Sequence, residues 1–372
     1  MRRCVDDGTN SNIKTNIPSI DLVSGSPVEQ VYLNLLQLSE DADHSSDINT
    51  WFNSARHSFN TRVNSTLQRF TLIGVTDSVN ERGVFGGGTD VVVSNVIEYV
   101  TISTPGNATD FGDLTGTPAG LAACSNGSNE RGVFGGGEDG VWTNIINYIT
   151  ISTENNAIDF GDLSDYKRNL AATSNATNER GVFGGGWNGA YLNVIEYLAI
   201  NNSGNAVIFG DLTVARYSLA VCSDGINNRG VFGGGDNGSF LDVIDYITIN
   251  TTGVAIDFGD LTAARSGLVA CSNGINERGV FGGGYYASYE LTIDYITINT
   301  LGNATDFNDL TIARDELAAC SNAINERGVF GGGSTGSSSD VIDYITINTP
   351  SIATDFGDIT AARSLLAACS NA

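Results

Sequence analysis

Short runs of alternating apolar and polar residues recur along most of the chain, bounded by Gly, Asn and Asp. The run Val341-Ile342-Asp343-Tyr344-Ile345-Thr346-Ile347 has the two-residue period of a strand with both faces covered. Three other kinds of run accompany it: a small-residue strand such as Leu317-Ala318-Ala319-Cys320-Ser321, a Gly-Val-Phe-Gly-Gly-Gly strand, and Ala353-Thr354-Asp355-Phe356-Gly357-Asp358-Ile359. Asn-Gly, Gly-Asn-Ala and Asn-Glu-Arg separate them as turns. The set then repeats. Arg-Gly-Val-Phe-Gly-Gly-Gly begins at Arg82, Arg131, Arg180, Arg229, Arg278 and Arg327, a constant step of 49 residues without insertion. Four short strands per roughly 50 residues is the period of a propeller blade, so the pattern predicts an all-β chain folded as a β-propeller of four-stranded blades.

Side-chain size predicts where each strand sits in a wedge-shaped blade. Ala-Ala-Cys suits the innermost position, where blades converge and large groups do not fit. The Gly triplet lets backbones approach closely. The alternating strand, with its Ile and Tyr, suits a wide outer position, and Phe111, Phe160, Phe258 and Phe356 are expected to wedge between sheets. Five of the six Cys (Cys124, Cys222, Cys271, Cys320, Cys369) occupy one repeat position that elsewhere holds Val75 or Thr173. That is a small buried slot. Equivalent positions in different blades lie too far apart for a disulfide, so free thiols are expected.

The chain ends on Leu365-Leu366-Ala367-Ala368-Cys369-Ser370, a further copy of the innermost strand without its other three. Leu22-Val23-Ser24-Gly25 and Ala55-Arg56 each precede matching repeat positions by 62 residues, that is 49 plus 13. This favours seven blades: a tail over residues 1–19, a divergent blade over 20–56, an insertion over 57–69 and regular repeats over 70–372, the propeller spanning 20–372. The alternatives are six blades with a separate N-terminal anchor of roughly 65 residues, in which Leu366–Ser370 replaces or duplicates the strand at Leu72–Thr76, and a chain that is part of a longer array.

Composition supports the strand reading, with 46 Gly against 5 Pro. A hydrophobic fraction of 41% with only 16% charged residues permits a large core. The formal charge of −24 repels phosphate backbones and anionic headgroups, so neither nucleic acid nor membrane insertion is expected. The first residues carry Arg2 and Arg3 with no apolar segment after them, which reads as a product made in a cytosol.

Taken together, Arg-x-x-Leu-Ala-Ala, Val-Phe-Gly-Gly, Val-Ile-Asp-Tyr and Asp-Phe-Gly-Asp-Leu resemble the kelch repeat of the galactose oxidase/kelch propeller superfamily. Phe stands here where kelch blades carry Trp in the fourth strand. The fuller form, Asn303-Ala304-Thr305-Asp306-Phe307 with Ile312-Ala313-Arg314, is similar to repeats of virion structural proteins of marine and cyanobacterial phages, over about Arg69 to Ala372. The resemblance implies a fibre, spike or decoration protein, located in the virion after synthesis in the host cytoplasm. Its implied partners are other virion proteins and a host-surface glycan or protein, with homo-oligomers in an assembly.

Catalytic readings find little support. Galactose oxidase-like copper chemistry needs converging His and Tyr ligands, and the two His, His44 and His57, lie outside the repeats. The Gly triplets lack the Lys-Ser/Thr of a phosphate loop. Asp113, Asp162, Asp211, Asp260, Asp309 and Asp358 recur once per blade, as do the six Arg of the repeat motif, which suits turn-fixing hydrogen bonds or ion pairs. Neither calcium-loop pattern is present. Asn-x-Ser/Thr triplets such as Asn107-Ala108-Thr109 read as turn residues. No catalytic residue, metal site or cofactor is expected, and the chain is not expected to be an enzyme.

Differences between the blades concentrate in the connection from the second to the third strand: Thr89–Ser94, Glu138–Thr143, Trp187–Leu192, Asp236–Leu241, Tyr285–Glu290 and Ser334–Ser339. These segments carry Trp142, Trp187, Tyr191, Phe240, Tyr285, Tyr286 and Tyr289, aromatics that a hairpin tip does not need for folding. Alternating strand direction puts them on one face of the disk. Such a face is the candidate binding surface, for sugars or proteins, because Tyr and Trp combine stacking area with a polar handle. The competing reading is that they cover blade flanks. A cellular kelch-type scaffold for protein partners is the alternative to a virion protein.

Overall fold

The computed structural model describes residues 81–371, apart from 127–129, 176–179, 225–227, 274–277 and 323–325. Within them the chain builds a β-propeller of six antiparallel four-stranded blades. Listed from the axis outward, blade 2 comprises Ala122–Ser125, Arg131–Gly135, Ile145–Thr150 and Ile158–Asp162. Blade 3 comprises Ala171–Asn175, Arg180–Gly184, Val194–Ala199 and Val207–Asp211. Blades 4, 5 and 6 follow at the same step, their innermost strands being Ala220–Ser223, Val269–Asn273 and Ala318–Asn322. The small-residue strand is innermost in each, as its side chains predict.

Blade 1 is assembled from both ends of the described chain. Arg82–Gly86, Val96–Thr101 and Thr109–Asp113 form its outer part, and C-terminal Ala367–Ser370 pairs antiparallel with Arg82–Gly86 as its innermost strand. The count is therefore six, the smaller of the two considered, and the preference for seven is corrected. Blade 6 packs directly on blade 1: a Cβ placed on Gly331 would lie 2.7 Å from the Phe85 ring, and one on Gly83 would lie 2.5 Å from Cys320 Sγ. A seventh sheet has no space at that junction. The segments read as tail, divergent blade and insertion, residues 1–69, lie outside the described residues, as does Val75.

Two closed circuits of hydrogen bonds surround the axis. At one end each innermost-strand Ser hydroxyl donates to the carbonyl of the equivalent Ser one blade back, over 2.5–2.8 Å, through Ser125, Ser174, Ser223, Ser272, Ser321 and Ser370. At the other end the backbone N–H groups of Gly120, Asn169, Ser218, Gly267, Glu316 and Leu365 do the same over 2.6–2.9 Å. Satisfying these polar groups between blades lets the inner strands converge on a narrow, alanine-rich centre.

Between blades the core is apolar. Phe111 of blade 1 packs with Phe134, Ile149, Ile151 and Ala157 of blade 2, the wedge expected for this position, and Phe160, Phe258 and Phe356 are buried likewise. The five repeat cysteines are free and buried, and burial pushes the Cys124 and Cys320 thiols up to about 12. The repeat Arg stacks on the Tyr of its own third strand, 4.1–4.4 Å from the ring centroid. Its guanidinium also donates to a carbonyl of the next blade, as Arg180 does to Ile249 at 2.9 Å.

A second charged pair is fully internal. Arg216, Arg265 and Arg314 bind Asp245, Asp294 and Asp343 at 2.8–2.9 Å, and Lys167 and Arg363 bind Glu196 and Glu98. The carboxylate also ties in the preceding crossover, for example through Thr262 N–H and hydroxyl donating to Asp294. Blade 2 holds Pro118 and Asn147 at the two positions, so cation and anion are lost together, and Asn147 keeps the crossover bond from Thr115 N–H at 3.2 Å.

Candidate recognition face

The varied connections are short tips standing on an unvarying frame. In each tip the first and fifth residues bridge, giving Thr89 with Val93, Glu138 with Trp142, Trp187 with Tyr191, Asp236 with Phe240, Tyr285 with Tyr289 and Ser334 with Ser338. The first tip residue also bridges a residue just ahead of the innermost strand: Ser364, Ala119, Arg168, Tyr217, Ser266 and Asp315 for blades 1 to 6. Each blade thus presents a row of three side chains at fixed backbone positions, and no two blades have the same row. A repeated frame with varied rows is what a surface needs if its chemistry is to change while its fold does not.

The structure brings six of the seven sequence-predicted residues into two groups. Trp187 and Tyr191 lie with ring centroids 4.8 Å apart, and Tyr217 of blade 4 stacks on Tyr191 at 5.9 Å and 28°. Phe240 meets Tyr285 at 6.0 Å and Tyr286 at 5.4 Å, and Tyr285 meets Tyr289 at 5.4 Å, across the boundary of blades 4 and 5. Trp142 stands apart on blade 2, its ring 3.5 Å from where a Cβ on Gly189 of blade 3 would be. Tyr286, Tyr191 and Trp142 are exposed and the other four are half-buried. The aromatics therefore do both things that the sequence left open: they brace neighbouring tips and present ring surface to solvent.

Tyr217 and Arg168 belong to the same face and were not among the predicted residues. They lie in the crossover before the innermost strand, whose column reads Ala119, Arg168, Tyr217, Ser266, Asp315, Ser364. That column varies as much as the tips do, which is the signal that would have found them. Arg168 reaches Glu138 of blade 2 at 2.5 Å.

At the centre of this face a cavity of about 120 Å³ is lined by the donors of the backbone circuit and by Ala and Leu of the inner strands. Pockets that hold drug-sized ligands measure about 300–1,000 Å³, so any sizeable partner meets the surface rather than the axis. Glu316 lines it, and Asp315 precedes Glu316 in the crossover. Burial, then the neighbouring Glu316, pushes the Asp315 carboxyl from 3.8 up to about 7, and burial also raises Glu316 against the lowering effect of Ser364 and Arg168.

A raised carboxyl pKa means that the folded chain keeps a proton which the unfolded chain has released. Unfolding free energy then falls as pH rises from about 4 to about 7. The chain is expected to resist denaturant better at pH 5 than at pH 8, and Asp315→Asn should reduce that difference. Urea titrations of both proteins at the two pH values check this.

On the opposite face one contact recurs at the end of the innermost strand. Asn126, Asn175, Asn273 and Asn322 accept the N–H of the repeat Arg five residues on, over 3.0–3.2 Å, and Asn371 does so for Arg82 at 2.9 Å. At the rim, the once-per-blade Asp that ends the outermost strand works through its backbone: the N–H of Asp113, Asp162, Asp260 and Asp358 donates to Asn156, Asn205, Asn303 and Asn107 of the next blade. Among the described residues, no group of three or more His, Cys, Asp or Glu is arranged to hold a metal ion.

The propeller architecture in general suggests a scaffold for protein–protein interaction. Comparison of the sequence with protein-family models and with curated proteins gives no match, so the chain is described by its own repeat and architecture.

Proposed function

We propose that the chain is a non-catalytic recognition module whose varied face binds a surface, and that it serves on a virion as a fibre, spike or decoration protein. The observation that carries the binding reading is the set of three-residue rows, different on every blade above a frame that repeats every 49 residues. Variation that is largest on one face, with Trp and Tyr gathered over blades 3 to 5, fits recognition by stacking and hydrogen bonding of a glycan or protein. The virion assignment rests on the likeness of the repeat to phage structural proteins. Acidity fits a dispersed particle component and disfavours nucleic acid as partner.

Purified chain applied to a glycan array, to host cells and to immobilised particle proteins tests the reading. Trp187→Ala combined with Tyr217→Ala is expected to weaken binding by about 30-fold or more, the scale of a lost hot spot. Absence of binding to all three targets, or equal binding by the variant, overturns the assignment to this face.

A further inference from the structure

Five of the six tips share one turn. In blades 1, 2, 3, 4 and 6 the N–H of the second tip residue donates to the carbonyl of the fourth over 2.9–3.3 Å: Asp90 to Val92, Asp139 to Val141, Asn188 to Ala190, Asn237 to Ser239 and Thr335 to Ser337. Blades 3 and 4 place Asn-Gly at the second and third positions, as Asn188-Gly189 and Asn237-Gly238. The two glycines hold the same backbone, with φ +102° and +99°. With no Cβ on the second residue, the backbone nitrogen of such a pair has an open path to the carbon of the preceding side-chain amide.

The two tips differ in what holds that nitrogen. Gly238 N–H donates to Asp236 Oδ1 at 2.7 Å, and in blade 6 Gly336 N–H donates likewise to Ser334 Oγ at 3.3 Å. Blade 3 has Trp187 at the capping position, whose indole has no acceptor, and Gly189 N–H has no acceptor among the described residues. The Asn188 side chain is folded back over it. Its Oδ1 accepts the Ala190 N–H at 3.3 Å, and its Nδ2 donates to Asp165 Oδ2 at 2.8 Å. This Asx turn carries the amide carbon toward Gly189 N, and the Ala190 N–H is aimed at the oxygen on which charge develops during attack.

We propose that Asn188 is a site of spontaneous deamidation through a cyclic imide and that Asn237 is protected from it. Gly189 N attacks Asn188 Cγ and gives its proton to solvent; the Cγ–Nδ2 bond breaks, and Nδ2 takes up a proton and leaves as ammonia. Water then adds to one imide carbonyl and opens the ring to aspartate or isoaspartate. One amide and one water become one carboxylate and one ammonium, with no oxidation or reduction. Holding both reacting groups in a single turn removes most of the entropic barrier. Asn126 and Asn273 also precede glycine, but both are 0% exposed and their side chains are tied to the repeat Arg N–H and to Asn201 and Asn348. The product sets a new carboxylate against Asp165 in place of a donor, so an attraction becomes a repulsion between Trp187 and Tyr191. An effect on binding rests on the recognition reading above; the modification itself does not.

The full chain, aged folded at pH 8 and digested with trypsin, is the test, with mass spectrometry of peptides 181–216 and 230–265 following the two sites. Deamidation at Asn188 is expected to run about tenfold faster than at Asn237, the scale of the hydrogen bond that caps Gly238. Asp236→Ala should raise the rate at Asn237, and Trp187→Asp should lower the rate at Asn188, each by about that factor. Other blades carry Thr, Glu, Tyr or Ser at this position, so both variants should fold. The chain unfolded in urea should react at similar rates at both sites, which assigns the difference to the fold. Equal rates in the folded chain, faster reaction at Asn237, or an unchanged Asn237 rate in Asp236→Ala each overturns the proposal.

Discussion

Replacing Arg314 with Met is expected to destabilise the chain by about 3–5 kcal/mol, because it leaves Asp343 buried without its cation. Both partners are fully internal, and burial acts on each: it lowers the pKa of Arg314 and raises that of Asp343, whose next influence is the guanidinium itself. Desolvation offsets most of the attraction, so the intact pair adds little net stability while its broken half costs much. Blade 2 shows the compensated state, with Pro118 and Asn147 both neutral. Arg314→Met with Asp343→Asn should therefore recover most of the loss. Denaturant unfolding of the two single variants and the double variant reads the coupling. The single Arg314→Met variant should also lose less stability at pH 5 than at pH 8, because an unpaired Asp343 is best tolerated with a proton on it.

Gly185→Ala is the second large effect. Gly185 has φ +68°, and a Cβ there would come within 2.7 Å of the Arg216 backbone oxygen. That oxygen cannot retreat freely, because it accepts the Gly186 N–H at 2.9 Å and so joins two blades. Left-handed backbone costs a non-glycine residue about 1–2 kcal/mol, and the displaced junction adds at least as much, so a loss of about 3 kcal/mol is expected. Gly204→Ala is the matched comparison. Nothing lies within 4 Å of its added methyl group and its φ is outside the left-handed range, so it should be neutral or slightly stabilising. Parallel thermal and urea melts of the two variants distinguish a conformational requirement from a mere preference for glycine.

Most of the blade was legible because each strand has a composition that only one radial position accepts. Ala-Ala-Cys could only be central, and its Sγ does lie against Gly of the adjoining blade. The blade number was not legible, because period fixes the repeat and says nothing of the angle between sheets. The orphan strand Ala367–Ser370 demanded a partner, and the partner proved to be Arg82–Gly86 rather than a sheet drawn from residues 20–56. The buried pairs were missed for a related reason. Arg216 and Asp245 are 29 positions apart and meet only once the blade is folded, although the joint change to Pro118 and Asn147 was present in the sequence.

The candidate face was partly legible. Aromatic tips stood out against a Gly-rich background, which located Trp187, Tyr191 and Tyr285 but not Tyr217, whose ring joins Trp187 and Tyr191 from a different segment of its blade. Reading variation column by column, instead of loop by loop, would have united them.

Both circuits around the axis run in one sense, each blade donating to the one before it, and neither has a first or last member. The gap between Asn371 and Arg82 is bridged by the same Asn-to-Arg contact that spans the corresponding hairpin in blade 2. Arg82 and Asn371 thus stand to each other as Arg131 and Asn126 do across an ordinary hairpin. A chain of residues 82–371, with these two positions joined by a short turn and the ring opened at one of the other five hairpins, should find the same set of bonds waiting for it.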